Sequence, residues 1–175
     1  MDAQITFKTN DGEIKLVRQY LAEGKVSMRL PDTFQDLPKD TNKEVKGHII
    51  ESSKSNEENT AVFTMLSRVL DDKSTKMIEE EYIKMAVAGF RQVFSRVAPG
   101  YQEIGVFNKV VNDHLVGCIN FFSHGIKSEM FQIFAVLRSG HNLYQCNFTC
   151  LDKDADVWNL IFLACIDSLK IVDEQ

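Results

Sequence analysis

Four apolar runs follow one another without a break from Gln102 to Leu151: QEIGVFNKVV, HLVGCINFFSH, EMFQIFAVLR and NLYQCNFTCL. Each is joined to the next by turn-forming residues, namely Asn112-Asp113, Gly125 with its polar neighbours, and Ser139-Gly140. Such spacing predicts strands paired consecutively and antiparallel. A meander of this size commits the chain to a β-rich domain, because its apolar face must be buried against another element.

The rest of the chain supplies those elements. ITFK and EIKLV flank Asn10-Asp11-Gly12 and read as a short hairpin, residues 5–17. KVSMRLP alternates Val26, Met28 and Leu30 with polar residues and stops at Pro31. After the polar loop DTFQDLPKDTNKEVK, the runs GHIIESSK and TAVFTMLSRVL read as a hairpin closed by SNEEN. From Ser74 the period becomes helical: Ile78, Tyr82, Met85, Ala86, Gly89, Val93 and Val97 form the expected buried stripe, with Phe90 and Phe94 beside it. Ser74 or Thr75 is the expected cap and Pro99-Gly100 the stop. A closing helix over 155–169, capped by Asp152 or Asp154, presents Trp158, Ile161, Phe162, Cys165 and Leu169.

Several chemistries fit the residues poorly. In a strand Tyr144, Cys146, Phe148 and Cys150 share one face, so the two sulfurs stand about four rises of roughly 3.3 Å apart. That excludes a common metal or a disulfide and makes both cysteines floor residues under the closing helix, facing Phe131, Ile133, Ala135 and Leu137 of the neighbouring strand. His48, His114, His124 and His141 are dispersed, so no metal is expected. Cys118, Cys146 and Cys165 have apolar neighbours, unlike a reactive thiolate. Glu79, Glu80 and Glu81 fan around a helix and read as its solvated start, where the dipole favours acids. No phosphate-binding glycine pattern precedes a helix, and no cofactor is expected. With Lys plus Arg at 20 against Asp plus Glu at 25, the net charge of -5 argues against a nucleic-acid surface. The amino terminus lacks the pattern of a secretion signal and no run reaches the length of a membrane span, so a cytoplasmic location is expected, with reduced thiols.

The strand-Pro-x-x-Phe element GKVSMRLPDTFQDLP, Asp156-Val157-Trp158 and Ser168-Leu169-Lys170-Ile171 resemble the PsbP/DcrB-like fold, and within it DcrB-related bacterial proteins. The resemblance implies an α+β fold: a central antiparallel sheet of six or seven strands flanked by helices, an α/β/α sandwich. The chain reads as one domain over 1–175, with residues 1–20 as a hairpin extension of a PsbP/DcrB-like unit over 24–173. This sequence departs from the pattern in that hairpin and in lacking a lipobox.

The family includes photosystem subunits, a Ran-binding nucleotide-release factor, lipoproteins and chaperones that load membrane-penetrating secretion effectors. What it implies here is a non-catalytic protein-binding module or adaptor with a protein partner, open to homodimerisation. A chaperone for an apolar segment of a secreted effector and a small cysteine-dependent hydrolase are the alternatives. The candidate partner surface is the meander face opposite the floor, where Phe134, Val136 and Leu143 alternate with Gln145 and Asn147. Another chain, or the N-terminal segment of this one, would cover it.

Overall fold

The computed structural model describes residues 4–38, the backbone of Glu44–Val45, and residues 47–172. In chain order the elements are β1 (Ile5–Thr9), β2 (Gly12–Leu21), β3 (Val26–Pro31), β4 (Gln35–Asp36), β5 (Glu44–Val45), β6 (His48–Ser55), β7 (Ala61–Val69), α1 (Asp72–Lys76), α2 (Glu79–Val97), β8 (Gln102–Val111), β9 (His114–His124), β10 (Glu129–Ser139), β11 (Asn142–Leu151), α3 (Ala155–Asp167) and β12 (Lys170–Ile171).

They form two antiparallel sheets. The smaller is ordered β1-β2-β3-β12; the larger runs β4-β6-β7-β11-β10-β9-β8, with β5 beside β6 off that path. The meander of β8 to β11 pairs consecutively, as its turns require: Asn112 and Asp113 take φ of 47° and 68°, the left-handed values of a two-residue hairpin turn. Phe131, Ile133, Ala135 and Leu137 stand opposite Cys150, Phe148, Cys146 and Tyr144, so the floor has the expected register.

The cover over that floor differs from an α/β/α sandwich. Trp158, Ile161, Phe162, Cys165 and Ile166 of α3 share one core with Leu16, Val26, Met28 and Leu30 of the smaller sheet, so helix and sheet together close this side. The 5–17 hairpin is accordingly continuous with the domain: β2 pairs β3, and β3 pairs β12 at the far end of the chain. Ser168, which ends α3, ties the two parts, its Oγ accepting from Arg29 N at 2.7 Å and its carbonyl from Arg18 Nη1 at 2.7 Å.

The first helical stretch also departs from expectation. Asp71, not Ser74 or Thr75, caps a separate short helix, accepting from Ser74 N at 2.7 Å, and α2 begins only after Ile78. Helix α2 then turns a different face to the sheet. Tyr82, Ile83 and Val87 are buried, while Ile78, Met85, Val93 and Val97 are 67%, 50%, 49% and 65% exposed. The aromatic side chains decide this. Phe94 stacks on Phe121 at 5.0 Å and both Phe90 and Phe94 reach Phe134, at 4.6 and 5.0 Å, contacts that the valine stripe could not match.

Gly117 on β9 makes that approach possible, since an added Cβ would lie 2.4 Å from Val87 Cγ2 and 2.8 Å from Ile83 Cγ2. Gly117→Ala should therefore destabilise the fold by about 1–3 kcal/mol through overpacking. Urea melts check it, and a change within about 0.5 kcal/mol would mean that α2 rides freely over β9.

Candidate polypeptide-binding face

The five positions singled out from the sequence do share one side of the larger sheet, but the chain covers most of them itself. Phe134, Val136, Leu143 and Gln145 are at most 4% exposed; Phe134 lies under Phe90 and Phe94 of α2. Leu143 and Val136 belong to the same cluster as Leu70, Tyr82 and Ile83. The cover is thus α2 and the segment leading into it, and not the N-terminal segment. Arg138 helps to pin this corner, its guanidinium 5.3 Å from the Tyr82 ring and its Nη1 donating to Ser74 O at 2.8 Å. Asn147 alone of the five stays half-buried.

Helix α2 sits over β9 and β10, which leaves the β11, β7 and β6 side of the same face more open. Registers place Asn147 beside Thr64 and Thr149 beside Val62. On β6, Ser53 stands opposite Thr64 and Ile50 opposite Leu66. All of these are half-buried, as expected for a sheet face over which no helix or strand of the described residues packs. Glu51 sits at a register shift and turns to the other face, where it accepts from Ser67 Oγ, so the floor between Ile50 and Ser55 carries no charge.

Helix geometry supplies a wall. Arg91 reaches across β8 to Glu103, with Nη2 and Nε at 2.6 and 2.8 Å from its carboxylate oxygens, so the opposite flank of α2, with Ala86, Val93 and Val97, faces the β11 side. The Arg91 hydrogen bond holds the Glu103 carboxyl below its ordinary value.

Amides line the seam between covered and open halves. Asn147 Nδ2 donates to Gln132 Oε1 at 3.4 Å and to Thr149 Oγ1 at 3.3 Å, and Gln132 Nε2 donates to Ser123 Oγ at 2.6 Å. Among the described residues Gln145 Nε2 and Asn147 Oδ1 find no hydrogen-bond partner, although both are buried. The sequence signalled the amide-and-apolar mixture correctly but could not say how far α2 would extend over it.

The residues considered for catalysis or metal binding do not converge. Cys118, Cys146, Cys150 and Cys165 are free and buried. Burial pushes the Cys118 and Cys150 thiols up to about 12, and those of Cys146 and Cys165 higher still, the reverse of an activated nucleophile. His114 lies 3.9 Å from Glu79 at one end of β9 and His124 3.5 Å from Glu129 at the other. Among the described residues no group of three or more His, Cys, Asp or Glu side chains could hold a metal, and no helix is long and apolar enough to cross a membrane.

Comparison with solved structures gives a PsbP-like fold. The chain superposes on cyanobacterial PsbP (CyanoP) from Synechocystis sp. PCC 6803 with a TM-score of 0.66 at 9% identity, covering 90% of this chain and 92% of that one. LpqN of Mycobacterium tuberculosis, described as involved in cell envelope biogenesis, matches with a TM-score of 0.54 at 12% identity over 93% and 94% of the two chains. A Pseudomonas aeruginosa protein of unknown function, PA94, matches at 0.53 with 10% identity over 91% and 98%. No family model and no curated protein matches the sequence. At these identities the likeness establishes the fold and no activity.

Proposed function

We infer that this protein is a non-catalytic binding module of the DcrB-related type, working in a reducing compartment such as the cytoplasm. It takes a partner polypeptide on the open half of the larger sheet, with α2 as the wall. One observation carries the reading: Val62, Thr64, Leu66, Asn147 and Thr149 form an uncharged, half-buried floor bounded at one end by Arg68, and the exposed Val93 and Val97 stand on the flank of α2 facing it. A surface in which apolar groups alternate with hydroxyls and amides suits a chain that brings both side chains and peptide groups. The chaperone alternative would use this same floor for an apolar segment. The cysteine hydrolase reading is disfavoured by four buried thiols whose ionisation is suppressed.

Co-purification from the native cell tests the reading. Val93→Asp and Thr64→Lys, at positions where surface changes cost within about 0.5–1 kcal/mol, should lose a protein that the wild type retains. Tyr20→Asp, on the smaller sheet and 69% exposed, should retain it. Phe134→Asp should unfold the domain instead of selectively losing a partner, because its ring is core. Equal recovery by Val93→Asp, Thr64→Lys and wild type would overturn the assignment of the floor.

A further inference from the structure

The two edges of the larger sheet are built differently. At one edge β4 and β5 are two residues each, and Lys54 pairs with Asp36 across it at 2.6 Å, which are the usual means of blunting an edge. The other edge is β8, ten residues long and free of proline, with Ile104, Val106 and Val110 exposed at 53%, 38% and 71%. A long edge of β-branched residues invites another strand.

The hairpin turn says which backbone groups are free. Val111 and His114 flank the two-residue turn, so they exchange both hydrogen bonds, and alternation directs the N–H and C=O of Phe107 and Lys109 to β9 as well. Those of Val106, Asn108 and Val110 point outward. Their side chains lie on the α2 side of the sheet, opposite Ile119, Gly117 and Leu115.

We propose that β8 pairs antiparallel with β8 of a second copy of this chain, about a two-fold axis through Asn108, joining the two larger sheets into one. The register is self-complementary: Val106 faces Val110 of the second copy, Asn108 faces Asn108, and Val110 faces Val106. Each of these facing pairs can exchange two backbone hydrogen bonds. On the other face, Lys109 is the one charged residue from Gly105 to Val111; it pairs with Asp167 of α3 and in this register stands opposite Phe107 of the second copy. Within the paired segment, residues 105–111, no like charges stand directly opposite, and the two Lys109 side chains, diagonal to each other, are each neutralised by Asp167 of their own copy. The side-chain register shift between Glu103 and Gly105 bends β8 where the paired segment ends.

The interface is small compared with stable dimers, which bury about 1,600 Å² in total, so dissociation in the micromolar range is expected. Sedimentation velocity across a dilution series should show the wild type passing from dimer to monomer. Asn108→Lys, which sets two ammonium groups directly opposite, should stay monomeric at every concentration with an unchanged circular dichroism melt. Asn108→Cys should cross-link to a disulfide dimer on mild oxidation, since a hydrogen-bonded antiparallel pair holds its Cα atoms about 5.5 Å apart, within the roughly 4.4–6.8 Å that a disulfide spans. Gln102→Cys, beyond the register shift, should not. A wild type that is monomeric throughout, or a dimer that survives Asn108→Lys, would overturn the proposal. So would cross-linking through Gln102→Cys that matches Asn108→Cys.

Discussion

Between pH 7.5 and pH 10 the folded protein should lose about 5–6 kcal/mol of stability through its four thiols. A thiol is neutral when protonated, and burial is the first cause holding the proton on each one in the folded state. The unfolded chain releases those protons near the ordinary thiol value of 9.0, whereas Cys118 and Cys150 keep theirs to about 12 when folded, and burial raises Cys146 and Cys165 likewise. A raised folded value means that the stabilisation is complete below pH 9 and drains away as pH rises toward 12. One unit above the unfolded value, each thiol forfeits about 1.4 kcal/mol. Urea melts in reductant at the two pH values measure the loss, and replacing Cys118 and Cys150 with Ala should about halve it. Tyr101, raised to about 12 mainly by burial and then by its hydrogen bond to Glu103, adds to the decline only at higher pH. Equal stability at both pH values would mean that the thiols reach water.

Trp158→Ala should cost about 3–5 kcal/mol, the usual cost of emptying a buried aromatic site, against a total stability of roughly 5–15 kcal/mol for ordinary domains. The indole is 8% exposed and links two parts of the chain: its ring lies 5.7 Å from Phe34 and 5.3 Å from Phe162. Phe162 continues to Phe148 at 4.9 Å, and Phe148 to Phe63 at 4.9 Å, so an aromatic path runs from the Pro31-x-x-Phe34 element through α3 to the floor. Far-UV circular dichroism is the proper probe, because Trp158 is the sole tryptophan and its loss removes the fluorescence signal. A shift under about 1 kcal/mol would show that α3 docks by its other residues. The contact also gives a physical reason for two of the motifs that resemble the PsbP/DcrB-like fold: far apart in sequence, they meet at this ring stack.

The candidate site was legible in kind but not in extent. Alternation correctly put Phe134, Val136, Leu143, Gln145 and Asn147 on the side of β10 and β11 away from the cysteines, but side-chain periodicity cannot say whether a face meets water or the chain's own helix. The open floor on β7 and β6 is not legible in the sequence, because nothing local says which strand the hairpin closed by SNEEN will join. Its position follows from β7 pairing with β11, two strands separated by the whole of α2 and three strands of the meander.

What the sequence determined by itself is therefore local. Period-two runs set the faces of the meander strands, and Asn112-Asp113 and Gly140 closed turns between neighbours, so Ala135 stands opposite Cys146 without help from distant residues. Tertiary structure decided what distance and competition control. It paired β3 with β12 and made the N-terminal hairpin part of the wall over the floor. It also chose between two apolar stripes on α2: both satisfy the helical period, but only the one bearing Phe90 and Phe94 matches Phe121 and Phe134 and fits Val87 and Ile83 into the space left by Gly117. A helix can announce that it is amphipathic, but the sheet beneath it selects the face, because burial energy depends on the fit of both surfaces.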